Sequence, residues 1–129
     1  MAEVVLDASA LLALIYREAG CEQVKAQVAK SAATSTANLS EVAAKLHDKG
    51  WQKFETENVL KSFNLDLISV NYEIAMLAAA LRLPTREYGL GLGDRLCLAT
   101  GSFLRLPVLT ADRIWSEIDS PDIDIKLIR

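Results

Sequence analysis

Four acidic residues of this 129-residue chain, Asp7, Glu41, Asp94 and Asp112, each fall beside the expected start of a helix. Asp7 follows the apolar run Val4-Val5-Leu6 and stands near the N-cap of a helix from Ala8 to Ile15. Glu41 closes Asn38-Leu39-Ser40-Glu41, which has the form of a capping box with Asn38 as N-cap. Asp94 follows a loop loosened by Gly91 and Gly93, and Asp112 opens the helix expected after Val108-Leu109-Thr110. Taken singly, each carboxylate is explained as a helix cap, Glu41 most fully. Gathered together, they would repel and could not all ionise cheaply. A divalent cation resolves that conflict, and an all-oxygen ligand set suits Mg²⁺ or Mn²⁺ rather than zinc. Ser9 and Thr110 put hydroxyls beside Asp7 and Asp112. They serve either as turn and cap bonds or as donors to a metal-bound water or a phosphate. Arg95 and Arg113 adjoin acids and either pair with a neighbouring carboxylate or meet phosphate. The sole histidine, His47, lies six positions after Glu41 and so off its helix face. No histidine-based nucleophile system can be assembled, and no Gly-rich phosphate loop follows the first strand.

The elements that must position these acids read as β-αα-β-αα-β-αα-β-α-β. Val4-Val5-Leu6 is apolar throughout, as a central parallel strand covered on both faces should be. Gly20 ends the first helix, and Cys21, Val24 and Val28 mark a second. Ala32 to Thr36 forms a short strand, Asn38 to Lys49 a helix, and Trp51 to Phe63 another with Trp51 and Phe54 on one ridge. Leu65 to Val70 is an outer strand. The alanine-rich helix from Tyr72 to Leu83 is apolar on nearly every side, which points to a face for self-association. A helix from Leu96 to Leu104, a strand opened by Pro107, and an alternating edge strand from Ile123 to Leu127 complete the order. The pattern predicts an α/β fold with a parallel sheet of about five strands and helices on both faces. In such a sheet the helix starts share the carboxyl edge, where open α/β sheets bind their ligands.

In this order and at these spacings, Val5-Leu6-Asp7-Ala8-Ser9, Asn38-Leu39-Ser40-Glu41-Val42, Gly93-Asp94-Arg95-Leu96-Cys97-Leu98-Ala99 and Leu109-Thr110-Ala111-Asp112 resemble a PIN-domain ribonuclease, most closely the VapC-type toxin of toxin–antitoxin pairs. The resemblance runs the length of the chain. It implies a three-layer α/β/α sandwich, Mg²⁺ or Mn²⁺ at the acids, cleavage of RNA, a homodimer, and inhibition by a cognate VapB-type antitoxin. In-line attack on a phosphodiester needs an activated water and a stabilised leaving oxygen, which metal ions supply. Asp7 and Asp94 are the first-choice ligands and Asp112 the next, with Glu41 acting through water or on the nucleophile. Arg95 joins Ser9 and Thr110 as a phosphate candidate. The resemblance also implies an antitoxin groove, for which Leu11, Leu14, Ile15, Trp51 and Phe54 are the candidates.

Composition sets the outer bounds. A chain of this length with 51% hydrophobic residues is expected to form one domain, residues 1–129. The start Met-Ala-Glu shows no secretory signal, and the apolar run Ala10 to Tyr16 is too short to span a membrane. Cys21 and Cys97 make no zinc or redox spacing, so free thiols in a reducing cytoplasm are expected. The net charge of −3 becomes nearly neutral without the four acids. RNA affinity would then rest on metal and a few arginines, such as Arg17, Arg82 and Arg86. A signalling receiver domain would need paired acids after the first strand, and a haloacid-type phosphatase would need Asp-x-Asp; this chain has Asp7-Ala8-Ser9. The remaining rival is a PIN fold that only binds, with vestigial acids.

Overall fold

A computed structural model describes residues 1–120 and 122–129. Its strands are β1 (Val4–Leu6), β2 (Ala32–Ser35), β3 (Asp66–Ile68), β4 (Val108–Thr110) and β5 (Ile125–Leu127). Its α-helices are α1 (Ala8–Tyr16), α2 (Cys21–Lys30), α3 (Thr36–Asp48), α4 (Lys53–Ser62), α5 (Tyr72–Ala80) and α6 (Leu92–Leu104). Two short 3-10 turns cover Arg86–Tyr88 and Arg113–Glu117. The sheet runs β3-β2-β1-β4-β5, and every neighbouring pair is parallel. Strand order therefore turns around at β1. The crevice beside such a reversal, at the carboxyl ends of the strands, is where an open α/β sheet receives a ligand.

Both faces of the sheet are covered, which explains why β1 carries no polar residue. Val4 and Leu6 pack with Leu11, Val24, Val42 and Leu46 on one side, while Val5 packs with Leu98, Val108 and Trp115 on the other. Close approach of α6 to β4 depends on Gly101: a Cβ there would strike the Val108 side chain. A third cluster, Ile74, Ala78, Leu96 and Ala99, joins α5 to α6.

Several element boundaries differ from the sequence reading, each for a local reason. The helix expected from Asn38 starts at Thr36, because Ser35 ends β2 and caps α3 at once by accepting the Ala37 N–H at 3.1 Å. Asn38 is thus inside the helix and buried. Helix α6 starts at Leu92, so Gly93 and Asp94 are helical and not part of the preceding loop. Helix α4 starts at Lys53 behind a Gln52 cap, so Trp51 precedes it and forms no helical ridge with Phe54. Asp112 opens a 3-10 turn in place of an α-helix. Helix α5 is not enclosed on most sides: Ile74 and Ala78 are buried, whereas Tyr72, Met76 and Leu77 are exposed.

Candidate active site

The most constrained of the four acids is Asp7, at the point where β1 becomes α1. As N-cap it accepts the Ala10 N–H on Oδ1 at 2.8 Å. Ser9 Oγ donates to the same carboxylate at 2.7 Å, and Thr110 Oγ1 donates to Oδ2 at 2.6 Å. These hydroxyls are held in turn from the backbone: Ala111 N–H donates to Ser9 Oγ at 2.9 Å and Asp112 N–H to Thr110 Oγ1 at 3.0 Å. Ser9 and Thr110 thus spend their protons on Asp7, which makes them orienting groups and leaves none for a phosphate. Asp7 is only 4% exposed. Burial pushes its carboxyl up to about 6, against the bonds from Thr110, Ala10 and Ser9, and the nearby charge of Asp94 adds to the rise.

Asp94 comes to the same edge from the first turn of α6, where its Oδ2 accepts the Gly91 N–H at 3.0 Å. Partial burial raises its pKa, and Asp112 raises it further, while the Gly91 bond and the positive charge of Lys45 act the other way. Asp112 is exposed and caps its 3-10 turn by accepting the Ile114 N–H at 3.2 Å. Glu41 is exposed on α3 and is not part of a capping box. Its Oε1 accepts a 2.7 Å bond from Asn38 Nδ2, and the same Nδ2 reaches the Gly93 carbonyl of α6 at 3.0 Å. A Cβ on Gly93 would strike the Glu41 carboxylate. Cys97 is buried beneath the cluster; burial and then the charges of Asp7, Asp94 and Glu41 push its thiol well up, so it stays protonated.

The four acids share one edge but do not close on one point. Among the described residues, no three His, Cys, Asp or Glu side chains stand close enough to hold one ion directly. The expectation of four carboxylates within a few ångströms is corrected to this extent. The reason is local: Asp7, Asp94 and Asp112 each satisfy an N–H of their own helix start, and Glu41 is drawn to Asn38. The donor set nevertheless fits a hard divalent cation. It consists of carboxylate oxygens, two of the carboxyls are held above their ordinary range with a like charge contributing, and no imidazole or ionised thiol competes.

The other candidates separate. Among the described residues Arg95 pairs with no carboxylate; its Nη1 donates to the Ala78 carbonyl at 3.3 Å, tying α6 to α5, and its buried Nε has no partner there. Arg113 instead reaches the Arg129 carbonyl at 2.9 Å. His47 is exposed and bonds the Trp51 carbonyl, away from the acids. Leu14, Ile15 and Trp51 line a groove of about 670 Å³ between α1, α2 and α4, with Cys21, Val59 and Phe63. Leu11 is fully buried in the core and Phe54 is 64% exposed outside that groove, so neither lines it. The sequence reading took Asn38 only for a helix cap and Gly93 only for a loop residue, and it missed Lys45 altogether. Lys45 is one helical turn beyond Glu41, a spacing visible in the sequence. The contact of Asn38 with Gly93 spans two helices distant in the chain.

A parallel α/β sheet whose carboxyl edge gathers acids from β1, α3, α6 and the turn after β4 defines a class of α/β/α proteins with an acidic crevice. The model of the PIN domain family matches residues 4–121, and the chain belongs to that family. PIN domains are generally nucleases. None of the curated proteins matches the chain. Among solved structures, a chain of DNA-bound VapBC from Salmonella typhimurium is similar, with TM-score 0.77, 17% identity and full coverage of both chains, 100% and 100%. VapBC2 from Rickettsia felis, bound to a promoter DNA fragment, gives TM-score 0.75 and 17% identity over 96% of this chain and 97% of that one. A toxin–antitoxin complex from Klebsiella pneumoniae gives TM-score 0.74 and 21% identity over 98% of each. At these identities the likeness is one of fold.

Proposed function

We propose that the chain is a metal-dependent endoribonuclease toxin whose acidic edge holds Mg²⁺ or Mn²⁺ and whose activity a cognate VapB-type antitoxin blocks. The observation that carries this reading is Asp7, a carboxylate buried at the strand-order reversal and facing the charge of Asp94. An ion bound there supplies an activated water and stabilises the leaving oxygen of an RNA phosphodiester. Asp7 and Asp94 would hold the ion, with Asp112 reaching it through water. Glu41, kept at the rim by Asn38, orients the attacking water. Ser9 and Thr110 lock the Asp7 carboxylate, and Lys45 offsets part of the acidic charge where a phosphate must approach.

The groove between α1, α2 and α4 suits an amphipathic antitoxin helix, with Leu14, Ile15 and Trp51 as its apolar wall. Tyr72, Met76 and Leu77 leave α5 with an uncovered apolar face, which supports a homodimer formed through that helix. Both cysteines are free, and among the described residues no helix is long and apolar enough to cross a membrane. We further propose that the chain acts on RNA in the cytoplasm as a single domain over residues 1–129.

The test is cleavage of an RNA substrate by the purified protein with Mg²⁺ or Mn²⁺, and its arrest by chelator. Asp94→Asn should abolish cutting. Full cutting in excess chelator contradicts the metal mechanism, and no cutting under any metal leaves the fold as a binding module with vestigial acids.

A further inference from the structure

The arginines nearest the acids in sequence are engaged elsewhere. Arg95 is taken up by the Ala78 carbonyl, Arg113 by the Arg129 carbonyl, and Arg129 by Glu18 and Ala19. One divalent ion leaves a crevice of four acids negative, and a phosphodiester adds charge of the same sign. We propose that Lys45 supplies the missing cation by direct contact with RNA: its ammonium binds a backbone phosphate next to the scissile one. The inference rests on the nuclease reading and gives that site a substrate-binding residue.

Direction comes first. Asn38, Glu41 and Lys45 stand at i, i+3 and i+7 on α3, so they share one face of that helix. Asn38 shows where the face looks, because its Nδ2 bonds both Glu41 and the Gly93 carbonyl of α6. A long helical side chain leans toward the N-terminus of its helix, and α3 begins where β2 ends, at the carboxyl edge. The ammonium is thereby directed toward the acids. Its positive charge is felt by Asp94, where it acts against burial and against Asp112.

Availability comes second. Lys45 is exposed and among the described residues makes no ion pair. Glu41, four residues before it, is in the favourable order for one, but its Oε1 accepts from Asn38 instead. Asp48, three residues after Lys45, does not pair with it either. Three ammonium donors are left for a ligand. Position comes third. Lys45 is one turn, about 5.4 Å, along α3 from Glu41, the residue assigned to the attacking water. A group one turn away meets the neighbouring phosphate, and a lysine meets it as a point charge that holds RNA in register without reading a base. The competing role is that of a cation in the last turn of α3, which favours the helix dipole, as His47 does there. That role is indifferent to RNA.

The test measures cutting of a mixed-sequence RNA oligonucleotide with Mn²⁺, and binding of the same RNA on a Glu41→Gln background. That background keeps Asp7 and Asp94 for the ion and removes the carboxylate that orients water. Lys45→Met should raise KM and Kd about tenfold, the loss of one charge-assisted bond, with kcat within about twofold of the parent. The slope of log Kd against log salt should fall by about one. Lys45→Arg should restore most of the affinity. Lys30 is exposed directly before β2, at the opposite edge of the sheet, and Lys30→Met removes the same charge. It should change Kd less than about twofold, because salt screens a charge that far from the crevice. The Tm gain with Mn²⁺ should survive in Lys45→Met, since no metal ligand is touched. Unchanged KM and Kd, a fall in kcat with KM unmoved, equal effects from the two lysine variants, or a lost Mn²⁺ response would each overturn the inference. A parent that cuts no RNA, while Lys45→Met still weakens binding and Lys30→Met does not, would sink the nuclease reading and leave the phosphate contact standing.

Discussion

Asp7 and Glu41 reach the same crevice by opposite means. Asp7 is buried at a strand end and fixed by bonds from Ser9, Ala10 and Thr110, two of them from its own turn and one from β4. Glu41 is exposed in the second turn of a helix, and Asn38 alone among the described residues bonds its carboxylate. The strand-end junction places a charge where it is costly. The helix junction places one where it is cheap but adjustable, because α3 and α6 are joined there by Asn38 and by the missing side chain of Gly93. If the crevice binds a cation, the fixed acid supplies the anchor and the movable one completes the site.

The largest expected effect tests the cost at Asp7. Its folded pKa, about 6, lies above the unfolded value of 3.8. The native state therefore binds more protons in that interval, and metal-free stability should fall as pH rises from 4 past 6. A rise of about two units corresponds to about 3 kcal/mol. Asp7→Asn should remove most of that fall, melting near the parent at pH 4.5 and above it at pH 7.5. Thermal melts of both proteins at the two pH values decide the matter, and a parent more stable at pH 7.5 than at 4.5 would break the comparison.

Thr110→Val comes next. It removes the 2.6 Å bond to Asp7 without changing side-chain size much. The buried carboxylate is left short of a donor, and about 2 kcal/mol should be lost at neutral pH. Denaturant unfolding measures it; a loss below about 0.5 kcal/mol, the range of ordinary surface substitutions, would show that the bond is dispensable.

Gly93→Ala should have the smallest effect on stability and a complete effect on the site. Replacing glycine inside a helix favours folding by up to about 1 kcal/mol. The added Cβ meets only the end of an exposed, flexible Glu41 side chain, which can swing away. Stability should hold or rise slightly while RNA cutting is lost. Gly101→Ala, in the same helix, should instead destabilise, since its Cβ meets Val108 and the Leu106 carbonyl in the core. Equal losses of stability in the two variants would remove the distinction between site glycine and packing glycine.

The same contrast explains what could be read from the sequence. Asp7 and its neighbours Ser9 and Thr110 follow apolar strand runs, so their arrival at the carboxyl edge was legible from local pattern. So were the parallel sheet, its outer strands and the edge position of all four acids. Asn38 and Glu41 were read as a capping box because the spacing satisfies one. What moved them into the helix is Ser35, which ends β2 and caps α3 with no loop between. The bond from Asn38 to Gly93 is tertiary and leaves no mark in local spacing. Trp51 and Phe54 share a helical interval in the sequence, but the Gln52 cap starts α4 between them and sends them to different surroundings. The apolar face of α5 was legible as composition, although only packing shows which of its residues stay uncovered.

The central claim, that the acidic edge is a divalent-cation site anchored by Asp7 and Asp94, is tested most directly by melting the protein with and without Mn²⁺. An ion that binds only the folded state stabilises it by about 2.7 kcal/mol at a hundred times its Kd. The parent should gain Tm as Mn²⁺ is added. Asp94→Asn should melt no lower than the parent in chelator, since it relieves repulsion at the crevice, and should gain nothing from Mn²⁺. A variant that keeps the parent's full Mn²⁺ response, or that loses several kcal/mol in chelator (~3 or more, well beyond the loss of a helix cap), would contradict the account and make Asp94 a structural residue.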